Sequence, residues 1–299
     1  MKPAIDIAVY VVVRSLILFV STLPRPLAYF FCETVAGLVY RFDLRHRHIG
    51  MVNLRLAFPD RDDQWRAAIL QQSFRQLGTH AVELFKMFRL SPGGIRARIP
   101  YEEGFGAEHY QRARREAGPV LFVTAHIGAW EVLPSAHAAH THPLHFLVRP
   151  LDNPYLDEWV TRQRSRFGNS VLSKHGSLRR VIATLREGHD VGFLIDQNVQ
   201  EKEGVYVEFL GHPACTASGV AALAARTGAR VVCGFILPTE KKGHYRIRFY
   251  PSIAAEGDLI ADTQKFVATI EAVIREYPHC WLWGHRRFNT QPDGKDLYE

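Results

Sequence analysis

The sequence predicts an α/β fold in which helices flank a mostly parallel central sheet, preceded by an N-terminal membrane anchor and a helical region. Two observations lead to this fold class. Beyond residue 95, short apolar runs bounded by glycine or proline alternate with helix-like segments, as buried parallel strands alternate with their crossover helices. Before residue 95, the apolar residues recur mainly with helical spacing.

The chain has 299 residues, 47% of them hydrophobic, which is enough for one sizeable core with an appendage. We predict an N-terminal membrane anchor at 1–40, a helical segment at 41–95 that packs on the following domain, and an α/β domain at 96–299. In the second segment, Asp60 or Asp62 is placed to cap a helix that continues to Phe88. The Ser-Pro-Gly-Gly sequence at 91–94 ends that helix.

In the α/β domain the predicted strands alternate with predicted helices for most of its length. The strands are 120–124, 144–148, 191–195, 231–237 and 245–250, the helices are 131–139, 156–167, 177–187 and 218–227, and 277–283 is a further strand-like segment. In such sheets ligands bind beyond the carboxyl ends of the strands. Residues that directly follow a strand are therefore the candidates for a functional site.

The apolar run at 5–23 is almost long enough to cross a bilayer, which takes about 20 apolar residues. Asp6 and Arg14 weaken this interpretation, since a charge in mid-span costs about 2.5–3.5 kcal/mol. Three alternatives remain: a true span, an interfacial helix lying flat with Arg14 reaching the headgroups, or a soluble core helix. Arginines that follow the run favour a cytoplasmic location for the rest of the chain.

The formal net charge of +7 indicates a negatively charged partner such as nucleic acid, anionic lipid or an acidic carrier protein. Tryptophans beside arginines at 281–287 fit a membrane interface or a partly structural role, and no recognised nucleic-acid motif accompanies them, so we expect no nucleic-acid partner. The four cysteines form no CxxC pair and fit free thiols in a reducing compartment.

His126 directly follows the first predicted strand, and Glu131 stands five residues later. Along one continuous helix these side chains would point apart, but Gly128 between them permits a sharp turn. The pair then suits a general base and the carboxylate that orients it. A lone HxxxxE spacing is a weak pattern, and a hydrogen-bonded core histidine is the alternative. The scheme needs neither a metal nor a cofactor, and the remaining histidines are spaced too irregularly for a metal site.

Four further residues are candidates for substrate binding. Arg149 follows the second strand and suits phosphate or oxyanion contact, with a surface salt bridge as the alternative. Arg166 shares a helix face with Arg162 that could meet anionic groups or solvent. Asp196 and Gln197 follow the strand at 191–195 and could bind a sugar, order Arg149 or cap a loop.

Five segments together resemble the lipid A biosynthesis lauroyl/myristoyl acyltransferase family, over nearly the whole chain. The segment His126-Ile127-Gly128-Ala129-Trp130-Glu131 is similar to its H-x4-D/E motif. The other segments are the Asn-Leu…Phe-Pro sequence at 53–59, Val-Arg-Pro with Asn-Pro-Tyr-Leu at 148–156, Asp-Gln with the sequence at 204–216, and Trp-Gly-His-Arg-Arg-Phe at 283–288.

The resemblance implies an acyltransferase at the inner membrane, with its catalytic domain on the cytoplasmic side. The donor would be an acyl–acyl carrier protein, and the acceptor a hydroxyl of a phosphorylated glucosamine lipid. Ile127 and Ala129 depart from the usual Phe and Asn of the motif, which puts the acceptor or acyl preference in doubt more than the reaction. The alternatives are an acyltransferase for another membrane lipid (a glycolipid, amino-lipid or lysophospholipid) or a non-catalytic lipid-binding relative.

Overall fold

A computed structural model describes residues 2–173 and 177–299. The N-terminal region consists of four helices: α1 Lys2–Thr22, α2 Arg25–Phe42, α3 Leu44–Ala57 and α4 Asp63–Met87. Pro24 separates α1 from α2, and the side chain of Asp43 caps α3 by accepting from the backbone N–H of His46. Asp62, one of the two predicted caps, accepts from the N–H of Trp65 at the start of α4.

The α/β region follows. Its helices are α5 Pro92–Arg98, α6 Ala107–Ala117, α7 Leu133–His140, α8 Pro154–Arg164, α9 Ser177–Arg186, α10 Gly219–Thr227 and α11 Leu259–Glu276. Its strands are β1 Leu121–Thr124, β2 Leu144–Val148, β3 Ser170–Ser173, β4 Asp190–Leu194, β5 Gly204–Phe209, β6 His212–Ala217, β7 Val231–Pro238 and β8 Tyr245–Phe249. Short 3-10 turns occur at Trp130–Val132, Arg166–Gly168, Glu201–Glu203 and Pro278–Cys280.

The central sheet has six strands in the order β3-β2-β4-β1-β7-β8, parallel except for the antiparallel pair β7–β8, and β5 and β6 form a separate hairpin. This confirms the predicted α/β class. Successive residues of β1 point to opposite faces: Leu121 and Val123 lie in one hydrophobic core, and Phe122 lies in the other. Both faces of the sheet are therefore covered, which explains the continuous apolar runs of its strands.

Strand order decides which strand-end residues meet. β1 and β4 are parallel neighbours, and Thr124 pairs with Leu194 at the carboxyl end of the ladder. His126 and Asp196 each lie two residues beyond that pair, so they are side by side. The strand-like segment expected at 277–283 is instead a 3-10 turn at 278–280 followed by a single antiparallel bridge from Trp281 to Ile127.

Candidate active site

The side chains of His126 and Asp196 form a hydrogen-bonded pair at the carboxyl edge of the sheet. His126 Nδ1 lies 2.9 Å from Asp196 Oδ1. The other carboxylate oxygen, Oδ2, accepts from the backbone N–H of His126 at 2.9 Å and from Trp281 Nε1–H at 2.8 Å. Three donors thus hold Asp196, which is 2% exposed, in one orientation. An ionised carboxylate accepts, so the proton of a neutral His126 is on Nδ1 and Nε2 carries the lone pair.

Charge and burial act in opposite directions on this pair. Burial by itself would lower the pKa of His126, but the charge of Asp196, their hydrogen bond and the more distant charge of Glu131 raise it overall. Burial would raise the pKa of Asp196, but the charge of His126 and the hydrogen bonds from His126 and Trp281 lower it to about 2. The carboxylate therefore stays ionised, and the imidazole becomes a stronger base than a free histidine.

The loop that carries His126 is fixed on both sides. Gly128 adopts a φ of +60°, and a Cβ there would lie 2.0 Å from the carbonyl oxygen of Ile236, so only glycine fits. Its N–H donates to Cys280 O at 3.0 Å, and the N–H of Leu282 donates to His126 O at 3.1 Å. The predicted turn at Gly128 is confirmed, and the C-terminal segment holds it in place.

Glu131 does not hydrogen-bond to His126. Its two carboxylate oxygens accept from Arg164 at the end of α8, Oε1 from Nη2 at 2.7 Å and Oε2 from Nε at 3.2 Å. This is a forked, two-point ion pair in which both side chains remain partly exposed. The carboxylate that orients the histidine ring is therefore Asp196, and Glu131 acts on His126 only through its charge.

The predicted arginines have different surroundings. Arg149 follows β2 with its side chain 83% exposed, and its nearest carboxylate is Asp152 at 3.8 Å. Arg166 lies beyond the end of α8, where the left-handed conformation of Phe167 interrupts the expected helix, so it does not continue the face of Arg162. Among the described residues, its guanidinium donates to the backbone carbonyls of Met87, the last residue of α4, and Leu90 just beyond it. Arg164, which sequence reasoning did not select, is the arginine that reaches the histidine motif.

Two clefts adjoin at Leu77 along one face of α4. The first, of about 330 Å³, is lined mainly by aromatic and aliphatic side chains, with Ser73, Gln197 and His285 among its polar members. The second, of about 170 Å³, is almost wholly apolar apart from His80 and Glu131; its other lining residues are Leu77, Ala81, Leu84 and 128–130 with Val132. His126 is not itself a lining residue of either cleft, but it contacts a residue of each: its backbone bonds to Leu282 of the first, and its ring packs on Trp130 of the second, 5.3 Å between centroids.

The segment that contains the tryptophans and arginines at 281–287 holds the site in place. Trp281 and Trp283 are buried, so they do not supply the membrane interface considered for them. Fully buried Arg287 donates to the carbonyls of Gln197 at 3.1 Å and Cys215 at 2.9 Å, and burial lowers its pKa to about 10. These bonds fix the loop after β4 that carries Asp196. Trp281, the third donor to Asp196, was not singled out from the sequence because the signal there was only aromatic composition.

Comparison with known proteins gives a consistent result. The family model described as "Bacterial lipid A biosynthesis acyltransferase" matches residues 2–290. A "Lipid A biosynthesis lauroyltransferase" of Escherichia coli is 29% identical over 92% of this chain and 89% of its own length. A "Lipid A biosynthesis palmitoleoyltransferase" of the same organism is 26% identical over 91% and 88%. A "Lipid A biosynthesis acyltransferase" of Haemophilus influenzae is 30% identical over 85% and 82%.

Proposed function

Because the chain belongs to the bacterial lipid A biosynthesis acyltransferase family, we propose that it moves a fatty acyl chain from an acyl–acyl carrier protein to a hydroxyl of a phosphorylated glucosamine lipid, with His126 as general base. The observation that carries this proposal is the contact of His126 Nδ1 with buried Asp196 at 2.9 Å. It leaves Nε2 as the acceptor, and among the described residues no group hydrogen-bonds to that nitrogen.

In the proposed reaction Nε2 takes the proton of the acceptor hydroxyl as its oxygen attacks the thioester carbonyl of the donor. The imidazolium formed is stabilised by Asp196, which stays ionised. Collapse of the tetrahedral intermediate breaks the C–S bond, and the imidazolium returns the proton to the leaving thiolate. The products are the acylated lipid and the free carrier thiol, so atoms and charge balance without a metal or another cofactor.

We assign Glu131 and Arg164 a positioning role next to this step. Their forked ion pair joins the turn after His126 to the end of α8. The negative charge of Glu131 also raises the pKa of His126 and so supports its action as a base. Glu131 was expected to orient the ring directly; since Asp196 occupies Nδ1, its part in the reaction is the weaker, electrostatic one.

The clefts along α4 support the substrate assignment. The almost wholly apolar second cleft suits an acyl chain. The first cleft combines aromatic side chains with polar groups, Gln197 among them, and this mixture suits a sugar headgroup. The exposed side chain of Arg149 is available to bind a phosphate of the acceptor. We do not assign this role to Arg166, because its guanidinium donates to the backbone carbonyls of Met87 and Leu90. The net charge of +7 suits both an acidic carrier protein and a phosphorylated lipid.

The proposal extends to location. One helix, Pro3–Thr22, has the length and apolar composition of a membrane crossing, with only 6% of its apolar stretch buried. A lipid substrate makes an inner-membrane location the natural one for a chain with such a helix. We place the catalytic domain on the cytoplasmic side because arginines follow the apolar run and carrier-bound acyl chains are cytoplasmic.

The alternatives differ in the acceptor or in catalysis. Another membrane lipid, such as a glycolipid, amino-lipid or lysophospholipid, would use the same base and clefts. A non-catalytic lipid-binding relative has no need of a buried carboxylate held by three donors on a histidine ring.

The test is transfer of a radiolabelled acyl group from acyl–acyl carrier protein to detergent-dispersed phosphorylated glucosamine lipid. We expect His126→Ala to lower the rate by about 10²–10⁴-fold, and the control His109→Ala, on α6, to leave it unchanged. Transfer that survives His126→Ala would overturn the mechanism. Transfer only to a glycerolipid, or only from an acyl thioester other than the carrier protein, would keep the mechanism and overturn the acceptor or the donor.

A further inference from the structure

We infer that the chain attaches to the membrane on one side only, with α1 and α2 lying in the plane of one leaflet, rather than with α1 crossing the bilayer. This inference rests on the membrane association proposed above and concerns its geometry. The evidence is the way one side of α1 is docked on the rest of the protein along its length, while its other sides expose apolar residues.

The protein-facing side of α1 is a regular stripe. Its half-buried or buried positions recur three and four residues apart, as expected for a helix that packs on one side; they are Asp6, Tyr10, Val13, Arg14, Ile17 and Val20. Because this stripe continues from the first turns of α1 to its last, the helix lies along the protein surface and does not project from it.

Specific contacts fix the two halves of this stripe. Near the N-terminal end, Asn153 Nδ2 donates to Asp6 O at 2.8 Å. In the middle, the guanidinium of Arg14 lies 4.3 Å from the ring centroid of Trp159 on α8, a cation–π contact that gives the charge a partner on the protein side. The mid-helix charge that weakened the transmembrane interpretation is therefore part of the docking surface.

The C-terminal end of α1 is also bound to the rest of the protein. Lys86 Nζ on α4 donates to the carbonyls of Ser21 at 3.3 Å and Leu23 at 2.5 Å, so an ammonium group satisfies the end of the helix. Val20 is buried in a small core with Ala28 of α2. Together with the contacts to α8, these bonds tie α1 to two helices of the following region.

The charges on α8 argue against a span. α8 runs beside the N-terminal half of α1, and its Glu158 and Arg162 side chains are 64% and 72% exposed. If α1 stood across the bilayer, these charges would be carried into the hydrocarbon, where ionised side chains are strongly disfavoured. With α1 in the interfacial plane, α8 stays at the polar surface.

The sides of α1 and α2 that face away from the protein form what we call the apolar face. On α2 its members recur at helical spacing, which gives one continuous stripe. They are Ile5, Ile7, Val9, Val11, Val12, Leu16, Leu18 and Phe19 on α1, and Leu27, Phe30, Val35, Leu38, Val39 and Phe42 on α2. A surface of this extent on two adjacent helices marks a membrane or partner site.

Charge identifies the partner as an anionic phospholipid leaflet. Arg41 and Arg45 are exposed where α2 ends and α3 begins, next to Phe42 and Leu44, which are 74% and 68% exposed. Arginines beside deeply exposed apolar side chains are the pattern of an interfacial helix on anionic lipid. A protein partner would need an apolar patch with acidic groups at its edge. An anionic leaflet supplies both, because its hydrocarbon can contact the apolar side chains and its charged headgroups can contact the arginines.

The decisive experiment measures on which side of the membrane each end of the chain lies. In the full chain with Cys32→Ser, a single reporter cysteine is introduced as Ala4→Cys or, as the control, Glu299→Cys, and each is labelled with a membrane-impermeant maleimide in inside-out and right-side-out vesicles. The three other native cysteines are buried. We expect both reporters to react in the same vesicle orientation; reaction in opposite orientations would show that α1 spans the bilayer and overturn the inference.

A second measurement tests the contribution of α2. Phe30→Glu with Leu38→Glu should weaken binding to phosphatidylethanolamine–phosphatidylglycerol vesicles at least tenfold. The matched control Leu259→Glu with Ile260→Glu, two exposed apolar residues at the start of α11, should change it less than twofold. Retention of the α2 variant in cell membranes through alkaline carbonate extraction would contradict the inference.

These outcomes are separable from the proposed function. A wild-type chain recovered only in the soluble fraction would overturn both the membrane association and its geometry, even if acyl transfer to detergent-dispersed lipid persisted. Loss of that transfer with a one-sided topology would instead overturn the proposed function alone.

Discussion

The pairing of His126 with Asp196 predicts a specific failure in Asp196→Asn. In the wild type, Oδ2 accepts from the His126 backbone and from Trp281, and Oδ1 accepts from Nδ1. The asparagine carbonyl can keep only one of these positions. With its oxygen at the Oδ2 position, where two donors converge, its NH₂ group faces Nδ1 and donates to it. The imidazole proton is then forced onto Nε2, the atom that accepts the hydroxyl proton in the proposed mechanism.

The expected loss in kcat is about a thousandfold, or about 4 kcal/mol of transition-state stabilisation, which is within the usual range for a general base. It is measured by acyl transfer normalised to the concentration of folded enzyme. The matched control is Asp190→Asn: this equally buried carboxylate accepts from Tyr110, Arg114 and the N–H of Val120 at the opposite end of β4. That variant should lose stability but keep its kcat. An Asp196→Asn enzyme within tenfold of the wild type would refute the tautomer argument.

Four further outcomes are expected. The acid limb of the kcat/KM pH profile should have its midpoint above pH 6.5, the usual histidine pKa, because the pKa of His126 is raised. Glu131→Gln removes a negative charge that favours the imidazolium, so the same pH profile should show this midpoint at lower pH. Gly128→Ala should lower the free energy of unfolding, measured by denaturant titration, by about 3 kcal/mol, because φ is positive there and the new Cβ would lie 2.0 Å from a backbone oxygen. The control Gly219→Ala, whose Cβ would point into open space, should leave this free energy almost unchanged. Arg164→Lys keeps the charge but loses the forked contact to Glu131, and steady-state assays should give a kcat/KM about tenfold lower; an unchanged value would remove the ion pair from the mechanism.

Local signals in the sequence predicted the parts of the site that depend on local structure. A buried apolar run predicts β1, and the residue after it is at the sheet edge whatever the neighbouring strands are. Gly128 predicts its turn because only glycine adopts that conformation freely. The same reasoning placed Asp196 at a strand end. The α/β class followed from these alternating signals.

What could not be predicted depends on which elements are neighbours. Periodicity does not reveal that β4 lies beside β1. Sequence reasoning therefore pairs His126 with Glu131, which is close in sequence, and expects Asp196 only to bind substrate, order Arg149 or cap a loop, whereas the structure places Asp196 on Nδ1. The helix face expected for Arg162 and Arg166 does not form, because α8 ends before Arg166, and the left-handed Phe167 just beyond α8 is not a glycine and gives no signal of this in the sequence. The hairpin β5–β6 and the short strand β3 lack the long apolar runs used to identify the other strands.

The bond from Trp281 to Asp196 has a consequence for biosynthesis. Translation delivers α1 and α2 first, then the histidine loop, then Asp196, and only much later the indole that completes the carboxylate's set of donors. If α1 and α2 bind lipid as inferred above, they can reach the membrane surface before the donor set of Asp196 is complete. In the proposed mechanism, the base therefore gains its full support only after Trp281 has been synthesised and has folded against Asp196.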